Sequence, residues 1–220
     1  FFSKINPFGF ILFSRNFVSK SQIKDLIFSL KKSTLNPNPY IFVDQEGGRV
    51  QRFKKNGFFS FPAQSVFGRI YEKNPKEAKK LAFLTAKLIG CQLKEVGIDV
   101  NCSPVLDILF NYTDPIIGDR SFSSNPKIVS RLGEQYCNGY KSAGIIPIIK
   151  HFPGHGRARV DSHKTLPIIE SSISCLKKID LLPFKDLKDE IFMMLAHIVY
   201  LDIDNKVAPY STKLKKEIIN

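Results

Sequence analysis

No apolar run in this chain approaches the ~20 residues that a membrane span requires, which excludes a transmembrane helix. Tryptophan is absent and arginine is scarce: only 8 of the 33 basic residues are Arg, and the rest are Lys, scattered rather than gathered into a stripe. A nucleic-acid face would show clustered basic residues interleaved with exposed aromatics. The net charge of +13, alongside 19 Phe, therefore reads as a compositional bias towards Lys, Ile and Phe. The four cysteines (Cys91, Cys102, Cys137 and Cys175) include no CxxC pair, so buried free thiols in a reducing compartment are expected. Apolar residues make up 43% of the 220 and charged residues 24%, which is the balance of a folded domain. The chain opens Phe1-Phe2 and stops inside a helix-like run, Lys213 to Asn220. Both ends read as cut, which leaves room for a signal peptide upstream.

The organisation is a repeating strand, loop and helix. Gly9 to Phe13 is a short apolar run of the fully buried kind, and Ser19 to Gln22 is a capping-box signature ahead of Ile23, Leu26, Ile27 and Leu30 on one helical face. Tyr40 to Val43 reads as a second strand. Asn74-Pro75 opens a long helix to about Val96, and Gly97 closes it before a third strand, Ile98 to Cys102. Asn125-Pro126 starts another helix, followed by the strand Ile145 to Ile149. A last apolar run, Ile191 to Ala196, follows a helical segment around Phe184 to Leu187. Helices alternating with continuous apolar strands predict an α/β fold with a parallel sheet covered on both faces. Period alone allows a doubly wound sheet or a (β/α)8 TIM-type barrel. Polar clusters after the C-terminal ends of several strands favour the barrel. Only five or six βα units are present, so residues 1–220 are expected to be one partial barrel domain.

Three clusters could carry chemistry. Asp44 to Arg52 (DQEGGRVQR) follows the second strand. It is either a solvated turn with local ion pairs or a loop whose glycines let backbone approach a ligand. Asp44 could accept from sugar hydroxyls, and Arg52 could offer a planar fork. Asp114 to Phe122 follows the third strand, where Arg120 beside Asp119 could form an ordinary loop salt bridge and Asp107 reads as a turn or cap residue. The third cluster, Lys150 to His163, holds three of the four histidines. His151, His155, Asp161 and His163 are conceivable metal ligands, but Pro153, Gly154 and Gly156 oppose the helix that an H-x3-H pair wants. Acid/base work fits better, because Asp161 and His163 at i, i+2 in an extended loop point the same way. The carboxylate can then steady an imidazole suited to proton transfer near neutral pH. His197 reads as structural.

Taken in order, FVDQEGGRVQRF (Phe42 to Phe53), NCSPVLDI (Asn101 to Ile108), IGDRSF (Ile117 to Phe122) and KHFPGHG…DSH (Lys150 to His163) resemble glycoside hydrolase family 3, in its bacterial β-N-acetylglucosaminidase branch. The resemblance implies a retaining glycosidase on a (β/α)8 barrel that releases terminal β-linked N-acetylglucosamine with no metal or organic cofactor. It further implies a cytoplasmic monomer acting on N-acetylglucosamine-containing saccharides or muropeptides in peptidoglycan recycling, with no nucleic-acid or membrane partner. Asp44, Arg52, Arg120, Lys150 and His151 would bind the sugar. His163 would be the acid/base, with Asp161 as its dyad partner, a departure from the usual pair of carboxylates. The nucleophile would be an Asp in an SDD-like strand end that comes after residue 220, and Asp202 and Asp204 match a preceding loop instead. Two alternatives remain beside the hydrolase: a non-catalytic sugar-binding remnant, and a phosphorylase that uses phosphate in place of water.

Overall fold

The computed structural model describes residues 1–161 and 165–219. Five strands form one sheet: β1 (Gly9–Leu12), β2 (Tyr40–Val43), β3 (Val100–Asn101), β4 (Ile146–Phe152) and β5 (Phe192–Leu195). Each pairs in parallel with its neighbour in the chain, in spatial order β1-β2-β3-β4-β5. A doubly wound sheet reverses its strand order at a switch point, and this sheet does not. It also curls. In a flat sheet β1 and β5 would lie roughly 19 Å apart, at four strand spacings. Yet the ring of Phe8, which leads into β1, sits 5.1 Å from that of Tyr40 and 6.2 Å from that of Phe192 on β5. The expected incomplete barrel is what forms, with Tyr40, Phe42, Val100, Cys102, Ile146, Ile148, Phe192 and Met194 on its inner face.

The crossovers are helical and pack on the outer face. They are α1 (Lys20–Lys32), α2 (Gln64–Lys73), α3 (Pro75–Glu95), α4 (Pro126–Ser142), α5 (Ile173–Lys178) and α6 (Leu182–Asp186). Their starts follow the sequence closely. Asn74 accepts from the Glu77 amide and Asn125 from the Lys127 amide, each with Pro at the first helical position. Ser19 accepts from the Gln22 amide, but Gln22 Oε1 returns to Val18 N rather than to Ser19, so the capping box is only half made. The α3 and α4 axes approach closely because Ala82, Ala86 and Gly139 line the contact; a Cβ at Gly139 would run into the Phe83 carbonyl oxygen and the Ala86 methyl. Helix α2 was not foreseen. The cysteines form no disulfide, and two of them correct the expectation of burial: Cys102 and Cys137 are buried, whereas Cys91 is exposed and Cys175 half-buried.

Candidate active site

The C-terminal ends of the strands are held by buried amide side chains that act as backbone surrogates. Asn101 Oδ1 accepts from Gln45 N and its Nδ2 donates to Gln45 O, both at 2.9 Å. Gln45 does the same to Phe53, and Gln64 of α2 to Val105. Each two-point clamp satisfies backbone groups that have left the sheet ladder. Beyond β3, the Leu106 amide donates to Lys150 O and the Lys150 amide to Pro104 O, which brings Asp107 beside the end of β4. The β4–β5 register shifts between Lys150 and Phe152, so the regular alternation of faces is interrupted there.

On this frame the predicted binding residues converge. Lys150 Nζ lies 2.9 Å from Asp44 Oδ1 and 2.6 Å from Glu46 Oε1. Arg52 reaches Asp44 Oδ2 at 3.1 Å. Arg120 grips Glu46 with a two-pronged fork at 2.9 and 2.8 Å, and its Nη2 stands 3.5 Å from His151 Nε2. His151 Nδ1 lies 2.6 Å from Asp107 Oδ2, while the Asp107 Oδ1 accepts from the His155 and His151 amides. Asp44, Glu46, Arg52, Arg120, Lys150, His151, His155 and His197 all line one cavity of about 430 Å³. That volume falls within the range of small-ligand pockets.

Three anticipated roles change. Arg120 pairs with Glu46 and not with Asp119, which is taken by Arg49 at 2.8 Å. Arg49 also donates to the carbonyls of Pro115, Ile116 and Ile117, tying the Arg120 loop to the Asp44 loop. Asp107 is no mere turn residue: it is fully buried and is the hydrogen-bond partner of the His151 ring. His197 is exposed and lines the cavity, which corrects its structural reading. Glu46 went unremarked, although at i+2 from Asp44 on the same extended segment it was due to face the same way. Asp161 lies apart from the charged cluster, in an adjoining depression with Arg49, Asp114, Val160 and Thr165 that meets the main cavity at Ile116. His163 falls outside the described residues.

The electrostatics fix protonation. Burial works against ionising Asp44 and Glu46, but Lys150 with Arg52 or Arg120 holds both carboxyls below the ordinary range. The same carboxylates raise Lys150 against its own desolvation. Burial and the adjacent Lys150 and Arg120 charges hold His151 below its usual value, outweighing Asp107. We read His151 at neutral pH as a neutral imidazole that donates a hydrogen bond from Nδ1–H to Asp107 and presents Nε2 to the cavity side. Asp107 is likewise opposed by burial, yet the His151 ring and the amides hold it at about 2. Because this folded-state value lies below the ordinary 3.8, Asp107 adds stability above pH 4 that is lost as pH falls from about 4 to 2, worth about 2 kcal/mol. Asp107→Asn should remove that component. Urea denaturation of wild type and variant at pH 5 and pH 2.5 measures it, and an unchanged pH dependence would refute it.

A parallel sheet wound in one direction, with its charged cavity at the strand C-termini, defines a (β/α)-barrel protein of the enzyme type. The chain belongs to glycosyl hydrolase family 3: the family's N-terminal domain matches residues 4–220. It is 40% identical to a β-hexosaminidase of Neisseria meningitidis over 214 residues, covering 96% of this chain and 58% of that protein. It superimposes on NagZ from Neisseria gonorrhoeae, solved in complex with N-trifluoroacetyl-D-glucosamine, with a TM-score of 0.90 at 39% identity, covering 96% of this chain and 62% of that one. The β-N-acetylglucosaminidase from Thermotoga maritima aligns with a TM-score of 0.83 at 30% identity, over 99% of this chain and 44% of that one. The chain thus spans about 60% of the length of the curated relatives it matches.

Proposed function

We propose that the protein is a retaining β-N-acetylglucosaminidase acting on N-acetylglucosamine-containing saccharides, in peptidoglycan recycling. The observation that carries this reading is the charge balance of the cavity. Asp44, Glu46 and Asp107 are offset by Arg52, Arg120 and Lys150, with His151 neutral. A wall of paired donors and acceptors without net charge suits an uncharged polyol. A phosphate or a cationic ligand would want an excess of one sign. Glu46 and Asp107 form the floor and hold Lys150, Arg120 and His151 in place; Asp44, Arg52, Lys150 and His151 bind sugar hydroxyls.

In the proposed reaction His163, oriented by Asp161, protonates the glycosidic oxygen as its bond to the anomeric carbon breaks. A carboxylate supplied after residue 220 bonds to that carbon from the opposite face. Water, deprotonated by the now neutral His163, then releases the sugar with its configuration retained. The likeness to β-hexosaminidases and to a NagZ bound to an N-acetylglucosamine derivative supports the reading. The test is direct. The protein expressed from its complete reading frame should release nitrophenol from a nitrophenyl N-acetyl-β-glucosaminide, with the β-anomer of the sugar as first product by proton NMR. A first product of inverted configuration, or no release, would refute it. A sugar phosphate formed in phosphate buffer would convert it to the phosphorylase variant.

A further inference from the structure

Arg157 lies outside the charged cavity, yet its side chain is heavily engaged in the loop that follows β4. Its Nε donates to Asp180 Oδ2 at 2.8 Å, Nη1 reaches Ser171 Oγ at 3.4 Å and Tyr112 Oη at 3.5 Å, and Nη2 reaches Cys175 Sγ at 3.3 Å. The guanidinium carbon stands 4.5 Å from the centroid of the Phe110 ring, itself stacked on Tyr112. One planar group therefore joins the loop after β3, the segment after β4, helix α5 and the turn between α5 and α6. The Arg157 and Asp180 side chains are 10% and 1% exposed, so the pair is shielded from solvent. Burial pushes Asp180 up to about 6, and Arg157 is the charge that opposes this.

The backbone on either side of Arg157 is fixed from below. The His155 amide donates to Asp107, Thr113 Oγ1 donates to Gly156 O at 2.5 Å, and the Asp114 amide donates to Ala158 O at 3.0 Å. Gly156 crosses so close over Ile108 that a Cβ there would overlap its carbonyl oxygen. Ala158 is the last buried residue before the loop leaves the body: Arg159 and Val160 are exposed, and Asp161 comes next. Backbone bonds hold this stem against the strand ends, and the Arg157 side chain ties it to α5 and its turn.

We infer that Arg157, through its ion pair with Asp180, is a positioning residue for acid/base catalysis: it fixes the stem, Gly156 to Ala158, that leads in the sequence to Asp161 and His163. The inference rests on the hydrolase reading above. Arg157 touches none of the sugar-binding side chains, so its loss should impair protonation of the leaving group and spare sugar binding.

Leaving-group dependence separates this role from a general loss of structure. Proton donation matters most when the departing oxygen is a poor leaving group. In the protein from the complete reading frame, Arg157→Met should lower kcat/KM on a methoxyphenyl N-acetyl-β-glucosaminide roughly 10- to 100-fold. It should lower kcat/KM on the dinitrophenyl glycoside far less and leave inhibition by N-acetylglucosamine unchanged. Arg157→Lys, which keeps a charge for Asp180 but not the fork, should fall between, and it carries the comparison if the methionine variant does not fold. Equal losses on both glycosides, or no loss, would overturn the inference while leaving the hydrolase reading intact. A wild-type protein inert on both glycosides would overturn the hydrolase reading itself.

Discussion

Replacing Lys150 by methionine should cost the protein about 3–5 kcal/mol of stability at neutral pH, on the order of 10 °C in Tm for a domain of this size. The ammonium is, among the described residues, the one cation placed between Asp44 and Glu46, at 2.9 and 2.6 Å, and both it and Glu46 are 2% exposed. Methionine matches the lysine stem in length, so the cost comes from charge rather than from a cavity. Glu46 keeps its fork to Arg120, but that one cation must then hold a buried carboxylate which two hold in the wild type. The sign with pH follows. In the wild type Glu46 and Asp44 titrate below their ordinary values, so they contribute stability above that range and lose it on acidification. With Lys150 gone, the burial term that opposes ionisation gains ground, the Glu46 carboxyl moves upward, and protonation relieves part of the damage. The variant should therefore lose less relative to wild type at pH 5 than at pH 7.5. Adding Glu46→Gln should restore part of the loss, a coupling that a double-mutant cycle reads directly. A Lys150→Met protein with wild-type Tm at both pH values would show that the network does not hold the barrel mouth together.

The parts of this molecule that the sequence exposes are those set by local rules. Helices α3 and α4 begin where Asn-Pro pairs place a cap and a first turn, and the strands fall on short apolar runs. The choice between barrel and doubly wound sheet is non-local, because it depends on which strands become neighbours; strand-end polar clusters pointed to the answer indirectly. The Phe67, Ile70 and Tyr71 spacing of α2 did carry a helical signal, masked by the Phe-rich approach from Gly57 to Pro62. The candidate site divides in the same way. Asp44, Arg52, Arg120, Lys150 and His151 stand out as chemical types at strand ends, and the fold gathers all five. Glu46 and Asp107 owe their importance to burial, and their partners lie 44 to 104 positions away in the sequence. A carboxylate two residues from Asp44, or one closing the PVLD run, announces none of that. Asp161 occupies the neighbouring depression, and its pairing with His163 stays a proposal drawn from their spacing.

His163→Ala should slow glycoside hydrolysis by about 10²- to 10⁴-fold, the span that a positioned general acid contributes. It is the sharpest test of the proposed mechanism. The His151 ring is committed elsewhere, bound to Asp107. His151 is moreover held neutral by burial and by the cations beside it, so its cavity-side Nε2 carries no proton to donate at pH 7. The carboxyls of the cavity fare no better, since Asp44, Glu46 and Asp107 all titrate below the ordinary range and are ionised acceptors at working pH. In the proposed mechanism the proton for the departing oxygen comes instead from the imidazole two residues from Asp161. The deficit should grow as the leaving group worsens, because a good leaving group departs without help. It should shrink when a small anion such as azide replaces water in the second step, where the missing base is no longer needed, and a glycosyl azide should then accumulate. The Arg157→Met variant should show the same pattern in weaker form. If His163→Ala instead lost activity equally on every leaving group and gave no glycosyl azide, the imidazole would be a structural support and the donor would have to be sought among the residues of the complete chain.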